Sequence, residues 1–143
     1  MLTEALPKLM AKAESLGLQK NLAHHLAETD QHKEALRLIC KTFEVDPEAV
    51  PNEDMKAIIE EGDKAIANNT GGTIDAVIIV GAKKVEEYEI AQYETVAIAA
   101  KALGFEGIAA RLRLTQEEEN QALTKLSFME KEIPYRQAQL ASI

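Results

Sequence analysis

The feature that most constrains this chain is an acidic interruption, Val85-Glu86-Glu87-Tyr88-Glu89-Ile90, in the middle of a long and otherwise apolar helical segment. That segment is expected to run from Thr73 to about Leu103 and to be covered by other helices along its apolar stripe. At least one of the carboxylates falls on that stripe. Burying an unpaired carboxylate costs on the order of several kcal/mol or removes its charge, so a bundle that keeps one supplies a cation, a hydrogen-bond network or a metal at the same level. Glu89 continues the line through Val85, Gln92 and Val96 and is the expected inward residue, whereas Glu86 taken alone reads as an edge position.

The rest of the chain supplies the covering helices. Its 143 residues suit one domain, and an apolar fraction of 46% with only 4% aromatics and few β-branched alternating runs favours an all-α fold. Leu2, Leu6, Leu9, Met10, Ala13 and Leu16 mark a first helix that is expected to stop at Gly17, with Pro7 near its start. A second helix is expected from about Leu18 to Phe43, with Leu22, His25, Leu26, Thr29, His32, Leu36, Ile39 and Cys40 on its stripe. Asp46-Pro47 and Val50-Pro51 break the pattern, and Asn52 can cap a short helix bearing Met55, Ile58, Ile59 and Ile66. The loop Asn68-Asn69-Thr70-Gly71-Gly72 follows, and Thr73 with Asp75 opens the longest helix, which Gly104 ends. A last helix begins near Glu106 and ends before Pro134.

Four principal helices with a long middle connection that holds its own short helix describe an antiparallel four-helix bundle with one crossover, the connectivity of ferritin-like folds. Residues 1–132 form this bundle and residues 133–143 a C-terminal tail. A net charge of −8 without a basic cluster argues against nucleic acid or an anionic membrane as partner. The single Cys40 excludes an intramolecular disulfide framework. With no signal-like segment and no long uninterrupted apolar run, the chain reads as cytoplasmic.

Polar residues interrupt three helices at mid-length. His25 and Glu28 are three apart and Glu28 and His32 four apart, so these side chains occupy neighbouring turns of one face. Glu119 lies on the stripe of Leu112, Thr115, Ala122 and Leu126, while Glu117 and Glu118 fall toward its edge. Each element has a plainer reading: a lone apolar-face histidine is usually a satisfied core residue, and a glutamate run is usually a solvated face. Carboxylates and imidazoles converging from facing helices are nonetheless the donor set of di-iron and di-manganese sites.

Several segments are also familiar in order and spacing: Ala5-Leu6-Pro7-Lys8-Leu9, His25-Leu26-Ala27-Glu28-Thr29, Val85 through Tyr93, and Leu103-Gly104 followed by Glu118-Glu119. From Leu2 to about Leu126 the chain resembles the YciE/YciF family of ferritin-like bacterial proteins associated with stress responses. The resemblance implies a ferritin-like bundle, often a homodimer, with a di-metal carboxylate centre of iron or manganese. Carried over by position, Glu28 is the second-helix carboxylate, Glu86 and Glu89 the pair of the third principal helix, Glu119 that of the last, and His25 the nearby histidine. The family has histidine where Glu87 stands and glutamine where His32 stands. It also carries a first-helix carboxylate upstream of Ala5-Leu6-Pro7-Lys8, a role Glu4 cannot take because it lies off the inward face. Two functions follow: a metalloprotein handling iron or a small oxidant, or a non-catalytic interaction bundle with a metal-free polar core.

Overall fold

In the computed structural model, residues 1–69 and 73–133 are described, and they form five helices: α1 (Leu2–Lys12), α2 (Leu16–Thr42), α3 (Glu53–Ala67), α4 (Ile74–Ala102) and α5 (Glu106–Glu132). The loop at 70–72 and the tail beyond Ile133 lie outside the described residues. Helices α1 and α2 form one hairpin and α4 and α5 a second, more extensively packed one; α3 is the crossover helix and packs on α4. The all-α bundle with one crossover is thus the architecture found.

Element ends follow from local chemistry. Helix α1 stops at Lys12 rather than at Gly17, because Ala13 turns extended and Ser15 caps α2, its Oγ accepting from the Leu18 N–H at 3.4 Å. Asp75 on α4 strengthens this corner: its two carboxylate oxygens accept the Glu14 and Ser15 backbone N–H groups, each at 2.8 Å. Asp75 therefore braces the start of α2 instead of opening its own helix. Thr73 makes no side-chain cap either, since its φ of −97° and ψ of −9° are helical and not the extended values a capping side chain needs. Asn52 does cap α3, its Oδ1 accepting from the Met55 N–H at 3.0 Å.

Helices α2 and α4 end in the same way. At Gly104 (φ 86°) the Phe105 N–H donates to Ala100 O and the Gly104 N–H to Lys101 O, a Schellman closure. At Glu44 (φ 54°) the Val45 N–H donates to Cys40 O and the Glu44 N–H to Lys41 O. The two closures set the Phe43 and Phe105 rings edge to face, with centroids 5.0 Å apart.

The core has two apolar parts with a polar layer between them. Leu6, Leu18, Leu22, Ile78, Ile79 and Leu126 fill one, and Tyr93, Ala97, Ala109 and Leu112 the other. Along α2 the buried residues are Leu18, Leu22, His25, Thr29 and His32, the alternating four-and-three spacing of a bundle seam. Beyond His32 the expected stripe holds only in part: Ile39 and Cys40 are half-buried, with Ile39 packed on the second cluster, while Leu36 and Phe43 are exposed. The cause is length: α1 has 11 residues against 27 in α2, so it covers only the first half of its partner.

Candidate metal centre

The polar layer is built by α2, α4 and α5. On α4 the buried line runs Ile78, Ile79, Ala82, Glu86, Tyr93 and Ala97, which puts Glu86 at the centre with 1% of its surface exposed. This corrects the expected phase. Glu89 is half-buried, and the line once drawn through Gln92 and Val96 faces solvent. On α5 the expectation holds: Leu112, Thr115, Glu119, Ala122 and Leu126 are buried in sequence, with Glu119 at 1% exposure.

His25, Glu86, Glu89 and Glu119 converge so that one ligand atom from each lies within 4.8 Å of all the others. Glu28 does not join this quartet; it sits half-buried at the rim with His24 Nε2 3.1 Å from its Oε1, while His24 itself is exposed. Glu87 and Glu117 face solvent. Glu4 is exposed on α1, so among the described residues the first helix adds no acid to the cluster.

Most of the quartet's donor atoms lack partners. Glu86 Oε2, Glu89 Oε2, Glu119 Oε2 and both ring nitrogens of His25 are buried without an aligned hydrogen bond. His25 Nε2 does approach Glu86 Oε1 at 2.7 Å, but out of line for a bond. A native interior pairs nearly all such atoms, so four residues left short of partners, each with a ligand atom in one cluster, are what a protein shows where an ion belongs.

Electrostatics divide the carboxyls. Burial, then the neighbouring Glu119, push Glu86 up to about 12, so it stays protonated at neutral pH. Burial and the Glu119 charge raise Glu89 to about 8. For Glu119 burial acts upward too, but hydrogen bonding to His32 and then the neighbouring protonated Glu86 outweigh it and hold the carboxyl at about 2. His25 is lowered, burial exceeding the pull of Glu119 and Glu28, so His25 and Glu86 meet as two neutral groups.

Two residues extend the site beyond the sequence expectation. His32 places Nδ1 2.8 Å from Glu119 Oε1 and Nε2 2.5 Å from Glu118 Oε2. Burial alone would lower its pKa, but the hydrogen bonds it donates to both carboxylates raise it, favouring the doubly protonated ring. Tyr93 stands edge-on to His32 with ring centroids 6.4 Å apart, and burial with the Glu89 and Glu119 charges pushes its phenol above the usual tyrosine range. Its seven-residue spacing from Glu86 was the available signal, hidden while the phase was read from Glu89.

The comparisons bear on the family and the fold. Residues 1–139 match the family described as "Domain of unknown function (DUF892)". Protein YciF of Escherichia coli (strain K12) is 33% identical over 128 residues, covering 88% of this chain and 77% of that protein. The crystal structure of the E. coli stress protein YciF superposes with a TM-score of 0.83 at 31% identity, over 90% of this chain and 82% of that one. YcfI from Rhodopseudomonas palustris superposes with a TM-score of 0.83 at 34% identity, over 88% and 81% of the two chains. With a family match over residues 1–139, 33% identity to YciF along most of its length and the same helical fold, the chain belongs to the DUF892 family.

Proposed function

We propose that this protein is a ferritin-like metal-binding protein in which His25, Glu86, Glu89 and Glu119 hold iron or manganese, acting on iron or a small oxidant in a cytoplasmic stress response. The observation that carries the reading is that His25, Glu86, Glu89 and Glu119, from α2, α4 and α5, bring a ligand atom each within 4.8 Å of one another while keeping buried polar atoms unpartnered. Mixed carboxylate and imidazole donors suit either metal. When bound, the ion would supply Lewis acidity and one-electron redox chemistry. The chain's own part is to present the donors and manage their protons: Glu86 and Glu89 give theirs up on binding, and His32 fixes the Glu119 carboxylate in place. The similarity to a protein described as a stress protein supports the physiological setting.

Metal analysis after anaerobic loading with Fe(II) or Mn(II) tests this. Roughly one to two chelator-removable ions per chain are expected. Loss of one ligand exceeds the tenfold to hundredfold cost of a supporting residue, so Glu89→Ala is expected to weaken binding by more than about 100-fold. Unchanged affinity in Glu89→Ala would sink the assignment. We further propose a homodimer through the apolar faces of α1 and α4; light scattering should give twice 15.7 kDa.

A second reading has its own observation: His32 is fully partnered by Glu118 and Glu119 without any ion, as in a structural hydrogen-bond network. A non-catalytic interaction bundle would bind no metal and melt at the same temperature with and without iron.

A further inference from the structure

Between α1, α3 and α4 lies an open-mouthed cavity of about 50 Å³ that reaches His25 and Glu86. Its walls include Leu6, Leu9, Ile59, Ile66, Ile78 and Val85, and the exposed Asp63. Two helix-interior glycines, Gly62 of α3 and Gly81 of α4, also line it, and a Cβ added to either would meet nothing within 4 Å. Neither glycine is therefore there to admit a close neighbour, although each loosens its helix. What they do is leave the slot wider. At its floor stand Glu86 and His25, 1% and 7% exposed, with Glu86 Oε2 and His25 Nδ1 unpartnered.

We infer that this cavity admits a small uncharged apolar molecule of the dioxygen class to the His25 and Glu86 edge of the carboxylate cluster. The inference rests on the proposed metal centre for what the molecule meets there, while occupation of the cavity needs no metal. Volume sets the size: a space of this kind holds a molecule of a few atoms and excludes an extended ligand. Wall chemistry sets the class. Apolar cavities take up species such as xenon, whereas hydrogen peroxide would leave donors and acceptors unpaired along the apolar walls and could be paired only by Asp63, Glu86 and His25. The mostly apolar route then favours dioxygen over peroxide.

Methyl NMR of the metal-free protein under xenon and then dioxygen pressure tests the inference. Saturable xenon shifts and paramagnetic broadening by dioxygen are expected at the Ile59, Ile66 and Ile78 methyls, several-fold larger than at the exposed methyls of Val50 and Leu103. Hydrogen peroxide should leave these signals in place. Gly81→Leu, filling the cavity from α4, and Gly62→Leu, filling it from α3, should each abolish the gas response while helix content is kept. If one variant does not fold, the other carries the same comparison. Cavity methyls that respond no more than Val50, or that respond to peroxide as they do to xenon, overturn the inference, as does a gas response that survives both substitutions. Metal titration of the same samples separates the two claims, since absence of metal binding with an intact gas response rejects the metal centre and leaves the cavity standing.

Discussion

Glu86 and Glu119 stand in one polar layer, equally buried, yet one is held protonated and the other ionised. The difference is His32, which bonds Glu119, whereas Glu86 faces other carboxyls and a His25 that burial keeps neutral. Removing one partner of a buried charged pair strands the other, at a cost of about 3–5 kcal/mol. His32→Leu is therefore expected to lower the unfolding free energy in urea by about that amount. Glu118→Gln removes a partner that is one-third exposed and should cost less than about 1 kcal/mol. Equal losses in the two variants would contradict this account of what holds Glu119. At this scale Glu119 was legible in the sequence because its neighbours on α5 are unambiguous in phase. Glu86 was not, since α4 is apolar nearly all round and a stripe drawn through Val85 and Val96 looks as good as the true one through Ala82 and Tyr93. His32 was visible as a polar residue on an apolar stripe, but its partners lie 86 and 87 positions away and no local spacing reveals them.

Helix existence was readable, and helix ends only where a side chain acts on its own chain. Asn52 announced α3 through a local bond, but the end of α1 depends on Asp75, about 60 residues distant, which no local pattern encodes. The exposure of Leu36 and Phe43 likewise depends on how far α1 reaches, a property of the neighbour. The paired Schellman closures allow a direct test. Gly104 adopts its left-handed conformation freely, but Glu44 occupies the same region against its Cβ, which costs roughly 1–2 kcal/mol in a non-glycine residue. Part of that is returned by the greater flexibility of glycine in the unfolded chain, so Glu44→Gly is expected to stabilise the protein by about 0.5–1 kcal/mol. Thermal melts of the two proteins check it; a lower melting point for Glu44→Gly would mean that the Glu44 side chain makes compensating contacts.

For the molecule as a whole, the polar layer sets the pH dependence of stability. Glu89 rises from 4.5 to about 8 on folding, so the folded state binds the extra proton between those values and stability falls as pH rises through them. Glu86 has the same sign over a window that extends higher. His32, raised on folding, contributes fully below 6.5 and loses that contribution as pH climbs through its folded value. Glu119 acts at the other end, stabilising above 4.5 and losing its effect as pH falls toward about 2; His25, lowered, opposes the trend below 6.5. The metal-free protein should therefore lose stability from pH about 5 to about 8, on the order of 1 kcal/mol per pH unit, in urea titrations. A flat or rising profile would show that the buried glutamates are not protonated.

The division of the polar layer between the two hairpins has a kinetic consequence. His25 and His32 come from the α1–α2 hairpin, and Glu86, Glu89 and Glu119 from the α4–α5 hairpin. Each hairpin makes contacts that are near in sequence and can form early, whereas the histidines meet the glutamates only when the hairpins dock, after the crossover through α3 has been closed. The layer is then assembled last on the way in and broken first on the way out. Substitution of His32 should accelerate unfolding while leaving the refolding rate nearly unchanged in stopped-flow measurements, so the chemistry at the centre of the bundle doubles as the latch on its lifetime.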